Sequence, residues 1–399
     1  MKKKISVGAA LGIAGITAVV VFFATSFAQL NMIGALTNNA WYQEPLYQKI
    51  HAIEQIVEKQ FDGEIEEKQL MDYVSRGYMA GLGDRFSLYF SKEDLEEFLI
   101  SEAGELVGIG VTGIQDPETG YIRVESVYKG SPADLAGLRA GDLLTAVDGT
   151  GVLEVGYEEA INQIRGEEGT SVSLTFLRDG AEQDLHIVRQ KIEVPSVSYQ
   201  LYGDNGYIAV TSFNETTARQ FQQAVESLQA QGAEKLIFDM RNNGGGLLSS
   251  VEEILDYLLP EGVIAIATYA DGTTEEIAHS EPGEIDMPMA VLTNEHTASA
   301  AELFTAALKD YDKAVQVGDT TFGKGVMQQL FTLSDGSGIN LTVAHFNPPK
   351  TSNFHETGLT PDYPVSLSEE EALRLQSASL ELAEDPQFLK ACAVLEGQE

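Results

Sequence analysis

At 399 residues the chain has room for two or three domains, and its 43% hydrophobic composition is enough for sizeable cores. Sixty-one acidic residues against 25 basic ones give a formal charge of −36, which argues against nucleic acid and anionic lipid surfaces as partners. The single cysteine, Cys392, excludes an intrachain disulfide framework and a multi-cysteine metal site, and its apolar setting reads as packing.

The N-terminus opens with three lysines and then carries no charge until Glu44. Residues 5–28 are largely apolar, roughly 36 Å as a helix and enough to cross a bilayer core. This length favours an uncleaved anchor over a signal peptide, although Ser26-Phe27-Ala28 offers a small-residue cleavage site. The lysines at the start place the acidic remainder outside the cytoplasm.

Residues 40–100 read as helical. Leu46, Ile50, Ile53 and Val57 recur at helical spacing, and a turn at Asp62-Gly63 precedes a second stripe with Leu70 and Val74. Ser101 to Gly104 is a polar break. Residues 105–189 then form a compact β-rich module, with strands at 106–111, 121–127 and 171–177. Ser131 caps a short helix that has Pro132 in its first turn and Gly137 as its stop. Residues 141–149 give a further strand and turn, and residues 157–165 a helix ending in Arg165.

After Val194-Pro195 the pattern becomes β–α–β. Residues 207–213 and 236–240 read as strands around an amphipathic helix with Phe221, Ala224 and Leu228 inward. The second strand runs into Arg241-Asn242-Asn243-Gly244-Gly245-Gly246, a loop that opens another helix and can present backbone N–H groups. A third strand at 289–292 leads through a polar turn into a helix starting near Ser299. A strand at 314–317 precedes Lys324, which sits between Gly323 and Gly325, and strands follow at 326–333 and 339–346. The tail from Ser368 reads as helix.

Two readings of Ser299 stand side by side. Ser299-Ala300-Ala301-Glu302 fits a capping box, in which the serine only satisfies an orphan N–H. The same place, at the positive end of a helix, suits a serine nucleophile and the oxyanion it creates. Such a serine needs a base, and a lysine serves when its pKa is lowered. Lys324 also ends a G-x-x-x-x-G-K string, but Gly325 replaces the hydroxyl residue of a phosphate loop and a strand follows instead of a helix. His296 is the one histidine placed to imitate a triad member, so a Ser299–His296 hydrolase stays open as an alternative.

The stretch Thr297-Ala298-Ser299-Ala300-Ala301-Glu302, followed by Thr321-Phe322-Gly323-Lys324-Gly325 and Gln328, resembles the C-terminal processing peptidases, or tail-specific proteases. That resemblance implies a serine endopeptidase with Ser299 as nucleophile, Lys324 as base and Gln328 in support. It also implies an oxyanion site from the N–H of Gly245 or Gly246 with that of Ala300. Thr297 and Ala301 stand where the family has further serines, and Gly244 where it usually has proline. Gly358 to Val365 matches the family's closing G-x-x-P-D segment.

Residues 105–189, with Gly130-Ser-Pro-Ala-Asp-Leu-Ala-Gly-Leu138 and Ala140-Gly-Asp-Leu-Leu144, resemble a PDZ domain. This implies a carboxylate-binding loop at Gly108, Ile109, Gly110 and Val111 that captures protein C-termini beside an added strand, with Arg165 near the groove.

The expected fold class is thus α+β and multidomain: a β-rich PDZ module and an α/β protease core, with a transmembrane helix and helical N- and C-terminal segments. The expected divisions are 1–30 anchor, 31–100 helical region, 101–192 PDZ domain, 193–367 peptidase core and 368–399 helical tail. The apolar stripes of segments 40–75 and 368–396 point to a homodimer. The expected partners are protein substrates with exposed C-termini and, through the N-terminal helix, a membrane; no cofactor, metal or nucleic acid is expected. An inactive PDZ adaptor on a protease-like core is the binding-only alternative.

Overall fold

The computed structural model describes residues 44–397, which fall into two units divided between Leu70 and Met71. In the first unit, helix α1 (Pro45–Gln60) starts on a proline, whose fixed φ suits a first helical turn. None of its residues is buried, and Leu46, Ile50, Ile53 and Ile56 are exposed. The apolar run at 5–28 lies outside the described residues, among which no helix is long and apolar enough to cross a membrane.

Helix α2 (Glu67–Ala80) runs across the division. The second unit continues with β1 (Leu88–Phe90) and α3 (Lys92–Ala103), which starts in a capping box between Ser91 and Asp94. The region expected to be helical therefore contains a strand, and that strand is completed at long range by pairing with residues 338–340.

The PDZ module follows. Its strands are β2 (Glu105–Gly108), β3 (Val111–Gln115), β4 (Ile122–Val127), β5 (Leu143–Val147), β6 (Thr150–Gly151), β7 (Ser171–Arg178), β8 (Ala181–Val188) and β9 (Gln190–Glu193). Its helices are α4 (Pro132–Ala136), α5 (Val152–Val155) and α6 (Tyr157–Ile164). The main sheet runs β3-β4-β5-β7-β8, and β2 pairs with β9 so that the chain enters and leaves side by side. The single strand expected at 106–111 is broken at Ile109-Gly110. Gly110 has φ 83, and a Cβ there would lie 2.3 Å from the Ser131 Cβ, so only glycine permits this turn.

The core sheet has the order β10-β11-β12-β15-β16-β19, built from β10 (Val197–Tyr202), β11 (Asn205–Val210), β12 (Lys235–Asp239), β15 (Met289–Thr293), β16 (Ala314–Gly318) and β19 (Tyr363–Pro364). All its pairs are parallel except β10 with β11. Helices α7 (Thr217–Gln231), α8 (Leu248–Leu258) and α9 (Ala300–Asp310) cover one face. Phe238 lies 5.3 Å from Phe221 and 5.4 Å from Phe304 between ring centroids, the spacing at which aromatic pairs add about 0.5–1.5 kcal/mol each. Ten of the eleven residues of α9 are buried, so the helix is embedded in the core along nearly its whole length.

A second, antiparallel sheet joins β1, β13 (Gly262–Tyr269), β14 (Thr274–Ser280), β17 (Val326–Thr332) and β18 (Gly338–Asn347). The tail contains α10 (Glu369–Gln376) and α11 (Pro386–Leu395). Phe388, Ala391 and Cys392 of α11 pack with Ile237, Leu292 and Val317 on the other face of the core sheet. The apolar stripe of α11, expected to serve self-association, is thus covered within its own chain. Burial pushes the Cys392 thiol up to about 11, as suits a packing residue.

Candidate active site

The turn between β15 and α9 is pinned from beneath. The Thr297 hydroxyl donates to the Met240 carbonyl at 2.8 Å, and the Ala298 N–H donates to the Asn243 carbonyl at 2.9 Å. Ser299 then adopts φ 57 and ψ −117, a region that costs an L-residue about 1–3 kcal/mol and persists only where the surroundings impose it. A simple helix cap has extended backbone instead.

Glu302 is what imposes it. This glutamate has no exposed surface, and its carboxylate accepts four hydrogen bonds. One oxygen takes the Thr321 hydroxyl at 2.5 Å and the Gly323 N–H at 2.8 Å. The other takes the Ser299 N–H at 2.9 Å and the Lys324 N–H at 2.8 Å. The backbones of Ser299 and Lys324 thus meet on a single oxygen atom. The S-x-x-E pattern does form the glutamate half of a capping box, but the same carboxylate also holds a loop twenty residues further on.

Ser299, Ala300, Lys324 and Gln328 line one cavity of about 500 Å³, together with Gly244 and Gly246. The Lys324 ammonium lies 5.0 Å from the centroid of the Phe86 ring. Burial lowers its pKa below the ordinary lysine value, while Asp84, Glu302 and Glu102 pull the other way. The Gln328 amide donates to the Thr342 hydroxyl at 3.1 Å and, at 3.4 Å, to the Val326 carbonyl.

The glycine loop closes over Ser299. A Cβ on Gly245 would lie 2.8 Å from the Ser299 Cβ and 2.9 Å from the Ala298 carbonyl oxygen, so the loop approaches as closely as glycine allows. The Gly245 N–H donates to Asn243 Oδ1 at 2.8 Å. Among the described residues, the N–H groups of Gly246 and Ala300 carry no intramolecular hydrogen bond. Asn243 is itself fully buried and donates to the Val210 carbonyl at 2.9 Å.

His296 is not part of this cavity. Its side chain is 66% exposed, lies 3.7 Å from its neighbour Glu295 and faces a different depression. In the PDZ module, Gly108 is paired in β2 and Ile109 is buried. The Ile109 carbonyl accepts the Ala133 N–H at 2.8 Å, and Gly110's accepts the Tyr128 N–H at 2.9 Å. Val111 opens the edge strand β3, and Arg165 is exposed at the C-terminal end of α6.

Three residues that shape the site were not assigned to it from sequence: Glu302, Asn243 and Phe86. Glu302 left a visible trace as a capping box. Asn243 sits inside the loop motif without a separate mark, and Phe86 comes from a segment more than two hundred residues away with no signal linking it to Lys324.

Residues 204–365 match peptidase family S41, and residues 123–178 match the PDZ domain. A carboxyl-terminal-processing protease from Synechocystis is 36% identical over 291 residues, covering 71% of this chain and 68% of the relative. A CtpA-like serine protease from Staphylococcus aureus is 33% identical over 347 residues, covering 85% of this chain and 70% of the relative. The fold matches an S41 protease from Bacteroides fragilis with a TM-score of 0.53 at 17% identity, over 85% of this chain and 99% of that one. The chain belongs to peptidase family S41, the serine peptidases among which these C-terminal-processing relatives fall, and carries a PDZ domain ahead of the main body of its core.

Proposed function

We propose that this S41 peptidase is a membrane-anchored, extracytoplasmic C-terminal processing endopeptidase that works through a Ser299–Lys324 dyad. Neutral Lys324 accepts the proton of the Ser299 hydroxyl as the oxygen attacks the scissile carbonyl carbon. The oxyanion meets the free N–H groups of Gly246 and Ala300. Collapse of this intermediate expels the amine, which leaves with the proton from Lys324, and an acyl-Ser299 remains. Water, activated by the lysine, then releases the new C-terminus. Gln328 lines the cavity beside the lysine and supports the substrate or the base. The loop at Gly108, Ile109, Gly110 and Val111 receives the substrate's terminal carboxylate, with Arg165 beside it.

The observation that carries this reading is the Glu302 carboxylate, which holds the strained Ser299 turn and the Lys324 loop on one oxygen. The membrane anchor rests on the apolar composition of residues 5–28 and the lysines before it. Ser299→Ala tests the chemistry. Turnover of an unstructured protein substrate is expected to fall by about a thousandfold or more, the scale seen when a serine nucleophile is lost, with thermal stability nearly unchanged. Near-normal turnover in the purified variant would remove Ser299 from the mechanism, whereas a wild-type chain without turnover would favour the adaptor reading.

A further inference from the structure

We infer that the C-terminal helix α11 sets the oxyanion loop, with Asp385 and Gln387 acting as positioning residues through Arg241. This deepens the reading above and rests on it, since it takes residues 241–246 as the loop that supplies an oxyanion donor.

Arg241 opens that loop. Its guanidinium is 1% exposed and bonds to Asp239 on one side, from Nε at 2.9 Å and from a terminal nitrogen at 2.5 Å. On the other side it meets α11: Asp385 at 2.7 Å and Gln387 Oε1 at 2.9 Å. Although burial opposes its charge, the carboxylates of Asp239 and Asp385 hold its pKa above the ordinary arginine value. Asp385 also caps α11 by accepting the N–H groups of Gln387 at 3.0 Å and Phe388 at 3.1 Å. The Gln387 amide donates to the Val365 carbonyl at 2.6 Å and to the Asp319 carboxylate at 3.2 Å. Asp319 lies five residues before Lys324. One turn of α11 is therefore bonded to both loops that form the site, the one leading to Gly246 and the one leading to Lys324.

Stability alone does not account for such an arrangement. Desolvating two carboxylates and a guanidinium is so unfavourable that apolar residues of similar volume commonly stabilise a fold as well or better. What a bidentate guanidinium does supply is direction, since its donors fix angles as well as distances. An oxyanion donor needs that, because its contribution depends on meeting the developing charge at hydrogen-bond distance. Past Arg241 the loop is held by backbone contacts and by the buried Asn243, and Arg241 fixes the direction in which it leaves β12. Asn242 has φ 61 and donates to Asn294 Oδ1 at 3.0 Å, and Gly245 and Gly246 lack side chains.

The test uses Gln387→Met, which removes the side-chain bonds to Arg241, Val365 and Asp319 while keeping an apolar filler of similar size, and Asp385→Asn, which removes a charge. Both are made in the full chain. The readouts are kcat, KM, affinity for a peptide aldehyde that forms a tetrahedral adduct with a serine, and affinity for the cleaved product peptide. For both variants the inference expects kcat and aldehyde affinity to fall together, by about tenfold for Gln387→Met, with KM and product affinity within about twofold of wild type. A merely structural role would instead weaken aldehyde and product binding alike, and that result overturns the inference. So does a folded Gln387→Met protein with wild-type kcat, and this milder variant decides if Asp385→Asn does not fold. A wild-type chain that captures no aldehyde would overturn the Ser299 reading and this inference with it. An intact adduct in both variants would overturn this inference alone.

Discussion

A carboxylate with no exposed surface carries a heavy desolvation penalty unless donors surround it, and Glu302 has four. Replacing it by glutamine turns one acceptor oxygen into a donor group that faces donors, so two of the four bonds are lost. Hydrogen bonds to charged groups contribute about 1.5–3 kcal/mol each, so Glu302→Gln is expected to lower kcat by at least about tenfold. Steady-state kinetics on a variant shown to be folded checks this, and an unchanged kcat would mean that the Ser299 turn holds its shape without the carboxylate. Ser299 and Lys324 stand out in the sequence as candidates because each sits in a short, contiguous motif. The second role of Glu302 does not, because its partners Thr321, Gly323 and Lys324 come about twenty residues later. Phe86 and the Arg241–Asp385 contact were hidden for the same reason, since residues that meet only after folding leave no local periodicity.

Among the elements, strands and helices with a clear apolar face were legible. β12 and β15 are buried along nearly their whole length, and both appear in the sequence as short apolar runs. β8 and β14 were not legible, because most of their side chains are exposed and their composition is polar. They exist as strands because β7 and β13 offer complete pairing edges. The same logic applies to β3, which has β4 on one side only and an open edge on the other. A peptide added there would place its terminus beside Gly110 and Val111. Amidating the C-terminus of such a peptide removes a charged acceptor and is expected to weaken binding by at least about tenfold, measured by calorimetry. Equal affinity for acid and amide would take tail capture away from this loop. Helix α1 presents an opposite case, an apolar stripe with nothing buried. A second copy of the chain is the expected cover. Residues 44–399 should sediment as a dimer at micromolar concentration, and Ile53→Glu with Ile56→Glu should give a monomer. A monomer before substitution would contradict this.

Over the whole molecule, the site is assembled from distant parts of the chain. The core sheet carries the Ser299 turn and the Arg241 loop, β17 of the second sheet begins just after Lys324, and residues 71–103 supply both β1 and the ring over the lysine. That segment, expected as part of a helical region, adds β1 to the second sheet and sets Phe86 over Lys324. Burial is the physical link between this architecture and the chemistry. A lysine in water keeps its proton near neutral pH, whereas one whose charged form is desolvated gives it up more readily. The direction follows: a lowered lysine pKa leaves the base neutral above that value, and acidification protonates it and stops the reaction. The most direct measurement is the rate at which a fluorophosphonate probe acylates Ser299, followed against pH in the wild type and in Lys324→Arg. The wild-type rate should fall as pH drops through a pKa below the ordinary lysine value of 10.5, with the protein still folded. Lys324→Arg should remain unlabelled up to about pH 10, because a guanidinium keeps its proton throughout that range. Labelling of Lys324→Arg at the wild-type rate, with the same pH profile, would contradict the dyad.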